Sequence, residues 1–138
     1  MLTQPASVLK FNRLLLTGAA GNLGKELRPR LKSYCQVLRL SHRSDMGDPG
    51  EGEEIHIASL EDKSQMMELL KGVDAVVHMG GVSTEQPWEP ILAGNIIGAV
   101  NLYESARLNG VKRIIFASSN HVTGFYRQDE VLTPRSAP

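Results

Sequence analysis

The stretch Gly18-Ala19-Ala20-Gly21-Asn22-Leu23-Gly24 restricts the fold more than any other part of the chain. It follows Arg13 to Thr17, a short apolar run carrying Leu14, Leu15 and Leu16, as expected of a strand buried on both faces of a parallel sheet. It leads into Asn22 to about Lys32, where Leu23, Leu27 and Leu31 recur four apart and predict an amphipathic helix. A turn this tight needs positive φ and a backbone without side chains at close approach. It then presents the free N–H groups of the helix start to a pyrophosphate. The spacing GxxGxxG is a variant of GxGxxG, and its place between strand and helix marks Gly18, Gly21 and Gly24 as a dinucleotide-binding loop.

The remaining pattern repeats this alternation. Val37 to Leu40 reads as a second strand, followed by a polar, glycine-containing loop through Gly52, and Ile55 to Ile57 as a third. Asp62 precedes a helical pattern with Met66, Met67, Leu69 and Leu70 that Gly72 is placed to end. Ala75 to Met79 is a strand ending in Gly80 and Gly81. Pro87 to about Leu108 is a long helix with Ile91, Leu92, Ile96, Ile97, Val100 and Tyr103 on a broad apolar face, Tyr103 being read as core packing, and Ile114 to Ala117 is the fifth strand. Without hairpin signals, the alternation predicts an α/β fold: a Rossmann-type, doubly wound parallel sheet of about five strands in the order 3-2-1-4-5. Residues 1–138 are expected to form a single dinucleotide-binding domain, with 1–11 flexible and 127–138 loop-like.

Fifteen basic and fifteen acidic residues cancel, so no basic footprint for nucleic acid is present. Cys35 is the only cysteine, which excludes an internal disulfide and suits a reducing compartment. Neither a signal peptide nor a membrane span is evident, and no metal site is read, so a cytoplasmic protein without membrane partners is expected.

Beyond the second strand, where an acidic side chain ordinarily meets the adenine ribose, stands Ser41-His42-Arg43-Ser44. Arg43 would suit a 2′-phosphate, as in NADP sites; alternatively Arg43 is solvated and Asp45 or Asp48 supplies the carboxylate. Gly80 and Gly81 allow close approach of a cofactor, or simply end a strand. Ser118-Ser119-Asn120-His121 could orient a polyhydroxylated substrate, or form a polar turn.

LLLTGAAGNLG, DAVVHMGGVSTE, GNIIGAVNLYESAR and KRIIFASSNHVTGFYRQDE together resemble the N-terminal part of the extended short-chain dehydrogenase/reductase family, the NAD-dependent epimerases and dehydratases, and within it the uronate dehydrogenases. The resemblance implies oxidation of hexuronic acids such as glucuronate and galacturonate to aldarolactones, with NAD as hydride acceptor. It places Asn22 and Leu23 at the pyrophosphate and Met79, Gly80 and Gly81 along the cofactor. It makes Ser83, Asn120 and His121 substrate contacts and Ser119 the catalytic serine. The family's ribose-binding Asp aligns with His42, and the Asp that meets adenine aligns with Ser59, beside a retained Leu60.

The family's catalytic YxxxK is absent: Tyr34, Tyr103 and Tyr126 are the only tyrosines, and none has lysine four residues later. That motif is expected beyond Pro138 with a C-terminal substrate lobe, so the chain alone is expected to be inactive. The alternatives are the cofactor domain of a nucleotide-sugar epimerase or dehydratase, and a non-catalytic dinucleotide-binding module. In the last case the fifth strand is expected to be an exposed apolar edge, covered by a partner or a second copy.

Overall fold

A computed structural model of the chain describes residues 10–136. Five strands, β1 (Phe11–Thr17), β2 (Cys35–His42), β3 (Glu53–Ile57), β4 (Ala75–His78) and β5 (Arg113–Phe116), form one sheet in the order β3-β2-β1-β4-β5. All four pairings are parallel, so every strand ends on the same edge. Order and direction are those expected from the alternation. β2 is longer by two residues at each end than its apolar run, because Cys35 and Ser41 are also buried.

The pleat divides the central apolar strand between two cores. Leu14 and Leu16 join Leu38, Leu40, Ala75 and Val77 on one face, beneath Leu27 and Leu31 of helix α1 (Asn22–Leu31). Leu15 turns to the other face with Val76, where it meets Met66 and Leu69 of α2 (Lys63–Leu69) and Leu102 and Ala106 further along the chain. Leu15, Leu16, Leu38, Leu40 and Leu102 are fully buried, each stabilising the fold by roughly 1.5–3 kcal/mol. Asp62 caps α2, accepting the N–H groups of Ser64 and Gln65.

The third helical stretch departs from expectation. It begins as α3 (Trp88–Ile91), passes through a π-helical segment (Leu92–Ile97) and continues as α4 (Gly98–Leu108). Its buried side is not the apolar face marked by periodicity but Gly94, Gly98, Asn101, Leu102, Ser105 and Ala106. Ile96, Ile97, Val100 and Tyr103 are exposed, so Tyr103 is not a core residue; its ring packs at 6.2 Å from Phe116 on the surface. Gly94 and Gly98 face Val82 and Leu60 of the loops after β4 and β3, while Leu102 and Ala106 join the core of Leu15 and Val76.

Of the segment 1–11 read as flexible, residues 1–9 lie outside the described residues, and Phe11 opens β1. β5 is an edge strand with Ile115 and Phe116 exposed. Among the described residues no helix is long and apolar enough to cross a membrane.

The corner between β1 and α1 depends on backbone meeting backbone. Gly18 has φ +68°, and a Cβ there would stand 2.7 Å from the Met79 carbonyl carbon and 2.8 Å from the Gly80 nitrogen. A Cβ on Gly24 would overlap the Gly18 carbonyl oxygen and Ala19. Gly110 shares the positive φ, +73°, but faces open space. Gly18→Ala is therefore expected to cost about 2 kcal/mol more than Gly110→Ala in urea unfolding, the excess measuring the close approach rather than φ. Equal losses would contradict a packed corner.

Candidate functional site

The carboxyl ends of β1, β2, β3 and β4 open into a cleft of about 600 Å³, a volume suited to a small-molecule ligand. Its floor is the glycine corner. Gly21 is the N-cap of α1, in extended conformation and without a side-chain cap, and its carbonyl accepts the first helical bond, from Lys25 N–H at 2.9 Å. The N–H groups of Asn22, Leu23 and Gly24 therefore have no partner within the helix. No acidic residue occupies the first turn, so the positive end of the helix dipole meets the cleft uncompensated. Leu23 lies on the cleft at 66% exposure; only Leu27 and Leu31 of the leucine repeat pack on the core.

The end of β2 forms one wall, tied to the floor by Ala19 N–H donating to the Ser41 carbonyl at 3.1 Å. His42 Nδ1 accepts the Ser44 N–H at 2.9 Å, so the ring carries its proton on Nε2. Burial holds the imidazole below its usual pKa, and the positive charges of Arg43 and Lys25 add to the depression. Asp45 turns its carboxylate onto the Gly47 N–H at 3.0 Å, and neither Asp45 nor Asp48 lines the cleft.

The loop after β3 and the loop after β4 complete the walls, and both are held by the long helix. Asn101 Nδ2 donates to the carbonyls of Leu60 and Glu61, each at 3.0 Å. Asn95 accepts the Val82 N–H at 2.6 Å and donates to the Val82 carbonyl at 2.9 Å. Gly94 and Gly98 leave room for this seating: a Cβ at either would press on Val82 or Leu60 at 2.9 Å. Gly80 donates its N–H to Thr17 Oγ1 at 3.1 Å, and that hydroxyl is hydrogen-bonded to His78 Nδ1 at 2.6 Å. Asn95, Asn101, Thr17 and His78 escaped the sequence reading. Polar residues inside the apolar runs GNIIGAVNLY and AVVH were the available signal.

The cleft brings together Gly18, Gly21, Asn22, Leu23, Gly24, His42, Arg43, Leu60, Met79, Gly80, Gly81 and Ser83. Ser119 and His121 follow β5 on the same edge of the sheet but are not among its lining. Ser119 caps the turn Asn120–Thr123, its Oγ accepting the His121 N–H at 3.1 Å and lying 3.1 Å from His121 Nδ1. The Asn120 side chain lies outside the described residues.

Residues 14–137 match the model of the NAD dependent epimerase/dehydratase family. The chain belongs to that family. It is 61% identical over 121 residues to a uronate dehydrogenase of Pseudomonas putida, covering 87% of this chain and 45% of the relative. To a uronate dehydrogenase of Pseudomonas syringae pv. tomato it is 54% identical over 127 residues, covering 91% of this chain and 46% of the relative. A crystal structure of a mutant uronate dehydrogenase from Agrobacterium tumefaciens complexed with NAD superposes with a TM-score of 0.87 at 48% identity, covering 91% of this chain and 47% of that one. The chain thus spans under half the length of each relative.

In this member of the family the Thr17–His78 pair joins the ends of β1 and β4 directly beneath Gly80. Burial pushes the His78 imidazole down to about 4 from its ordinary 6.5. Between those values the unfolded chain binds a proton that the folded chain does not, so stability is full above pH 6.5 and declines as pH falls toward 4, by about 3 kcal/mol. Urea midpoints measured from pH 7.5 to 4 are expected to show this decline, and His78→Asn, which cannot titrate, is expected to flatten it. An unchanged slope in that variant would remove His78 as the cause.

Proposed function

We propose that the cleft binds a nicotinamide adenine dinucleotide, and that the chain serves the oxidation of a hexuronic acid, such as glucuronate or galacturonate, to its aldarolactone. The observation that carries this reading is the uncapped start of α1, opening between the His42 wall and the Gly80–Gly81 wall. The resident dinucleotide, when bound, supplies the hydride acceptor. The N–H groups of Asn22, Leu23 and Gly24 meet its pyrophosphate, with Gly21 leaving the approach clear. The backbone of Met79, Gly80 and Gly81 lies along it, and Leu60 contributes an apolar contact at the far wall. The uronate dehydrogenase relatives and the complex of one of them with NAD support both cofactor and substrate class.

On the substrate side, Ser83 stands at the cleft, and Ser119 and His121 stand beside it after β5. The Ser119 hydroxyl would hold the reacting sugar hydroxyl in line for proton removal. The proton itself needs a base that the tyrosine of a YxxxK motif would supply, and no tyrosine of these 138 residues has lysine four positions later. The 138-residue chain by itself is therefore proposed to bind dinucleotide without oxidising uronate.

Gly21→Asp separates binding from folding. With φ −70° the backbone conformation suits a side chain, a Cβ there would stand 3.2 Å from the Gly18 carbonyl oxygen, and Asp is a favoured N-cap, so the tight contact and the gained cap are expected to offset each other to within about 2 kcal/mol of unfolding free energy. The new carboxylate would take the free N–H groups and repel the pyrophosphate, so calorimetry is expected to show NAD+ affinity falling more than about tenfold. Undiminished affinity would place the dinucleotide elsewhere, and NAD+ reduction by glucuronate at enzymic rates would overturn the proposed inactivity.

A further inference from the structure

We infer that the β2 end of this cleft is a phosphate site, and that the chain selects the 2′-phosphorylated dinucleotide, NADP+, over NAD+. The inference rests on the dinucleotide reading above and concerns only the adenosine ribose. A ribose with free 2′ and 3′ hydroxyls calls for an acceptor, which a carboxylate supplies; a 2′-phosphate calls for donors and positive charge.

The side chains of His42 and Arg43 are of the second kind, and the hydroxyls of Ser41 and Ser44 beside them can donate as well as accept. His42 spends its one acceptor, Nδ1, on the Ser44 N–H, which leaves Nε2–H as a donor only. Arg43 lines the cleft next to it and makes no ion pair or side-chain hydrogen bond among the described residues. The charges acting on His42 are Arg43 and Lys25, both positive, with no carboxylate opposing them. The carboxylates that could have served are engaged or distant. Asp45 is turned onto Gly47, and Glu61, the one acidic residue of the lining, belongs to the loop after β3. One cation in the wall, a second acting on it from α1, and a fixed imidazole donor, with no carboxylate at the end of β2, suit a dianion and leave a ribose diol without the charged acceptor it calls for.

The test is calorimetric binding to the 138-residue chain of two ligand pairs that differ only in the 2′-phosphate: NADP+ against NAD+, and adenosine 2′,5′-bisphosphate against adenosine 5′-monophosphate. The phosphorylated member of each pair is expected to bind at least about tenfold tighter, with the advantage shrinking as salt rises. Arg43→Ala, at an exposed position, is expected to bring NADP+ down to the affinity of NAD+. His42→Asp, which restores an acceptor, is expected to reverse the preference. NAD+ binding as tightly as NADP+, or a preference indifferent to both substitutions, would overturn this inference and leave the dinucleotide site standing. Binding of neither dinucleotide would overturn both.

Discussion

The contact on which the rest depends is the one between the Gly18 backbone and the Met79–Gly80 peptide. It exists because no side chain stands between them, and it brings the end of β1 against the end of β4. Gly24 extends the same principle by one helical turn, setting the start of α1 against the Gly18 carbonyl. The helix start is thereby held at the carboxyl edge of the sheet with its N–H groups directed to the cleft rather than to protein. Thr17 and His78 reinforce the joint with a buried hydrogen bond whose hydroxyl also accepts the Gly80 N–H. The glycine spacing is thus a packing requirement first, and the cleft is its consequence.

The walls obey a second constraint, which the long helix imposes. Loops at a sheet edge have few backbone partners of their own, and here two of them borrow partners from Asn95 and Asn101. The asparagines reach because Gly94 and Gly98 let Val82 and Leu60 come close. Glycine at both positions weakens helix propensity, and the passage through a π-helical segment is found at that point. Helical regularity has been exchanged for loop placement.

Much of this was legible in the sequence. Strand runs, glycine stops and the Asp62 cap are local signals, and parallel order follows from alternation with helices, so the five-strand sheet was readable. The residues expected to hold a cofactor line one cleft, since the edge of a parallel sheet gathers whatever follows its strands. Three things were not legible, each for a non-local reason. Periodicity marked Ile96, Ile97, Val100 and Tyr103 as an apolar face, but the buried face is the opposite one, where Gly94 and Gly98 meet the loops and Leu102 and Ala106 the core. Leu23 continued the leucine repeat, yet the helix start projects past the core into the cleft. Whether Asp45 or Asp48 lay in the cleft could not be read either, since it depends on side-chain directions such as that of Asp45 toward Gly47.

The central claim is that the uncapped start of α1 and the end of β2 grip the two halves of one bound dinucleotide. Amide NMR of the chain titrated with NADP+ tests it most directly, because each N–H involved reports for itself. The account predicts saturable shifts concentrated at Asn22, Leu23 and Gly24 and at Ser41, His42, Arg43 and Ser44, with Gly80 and Gly81 following. Shifts confined to the far end of the sheet, or to the loop after β5 with the α1 start unmoved, would contradict it.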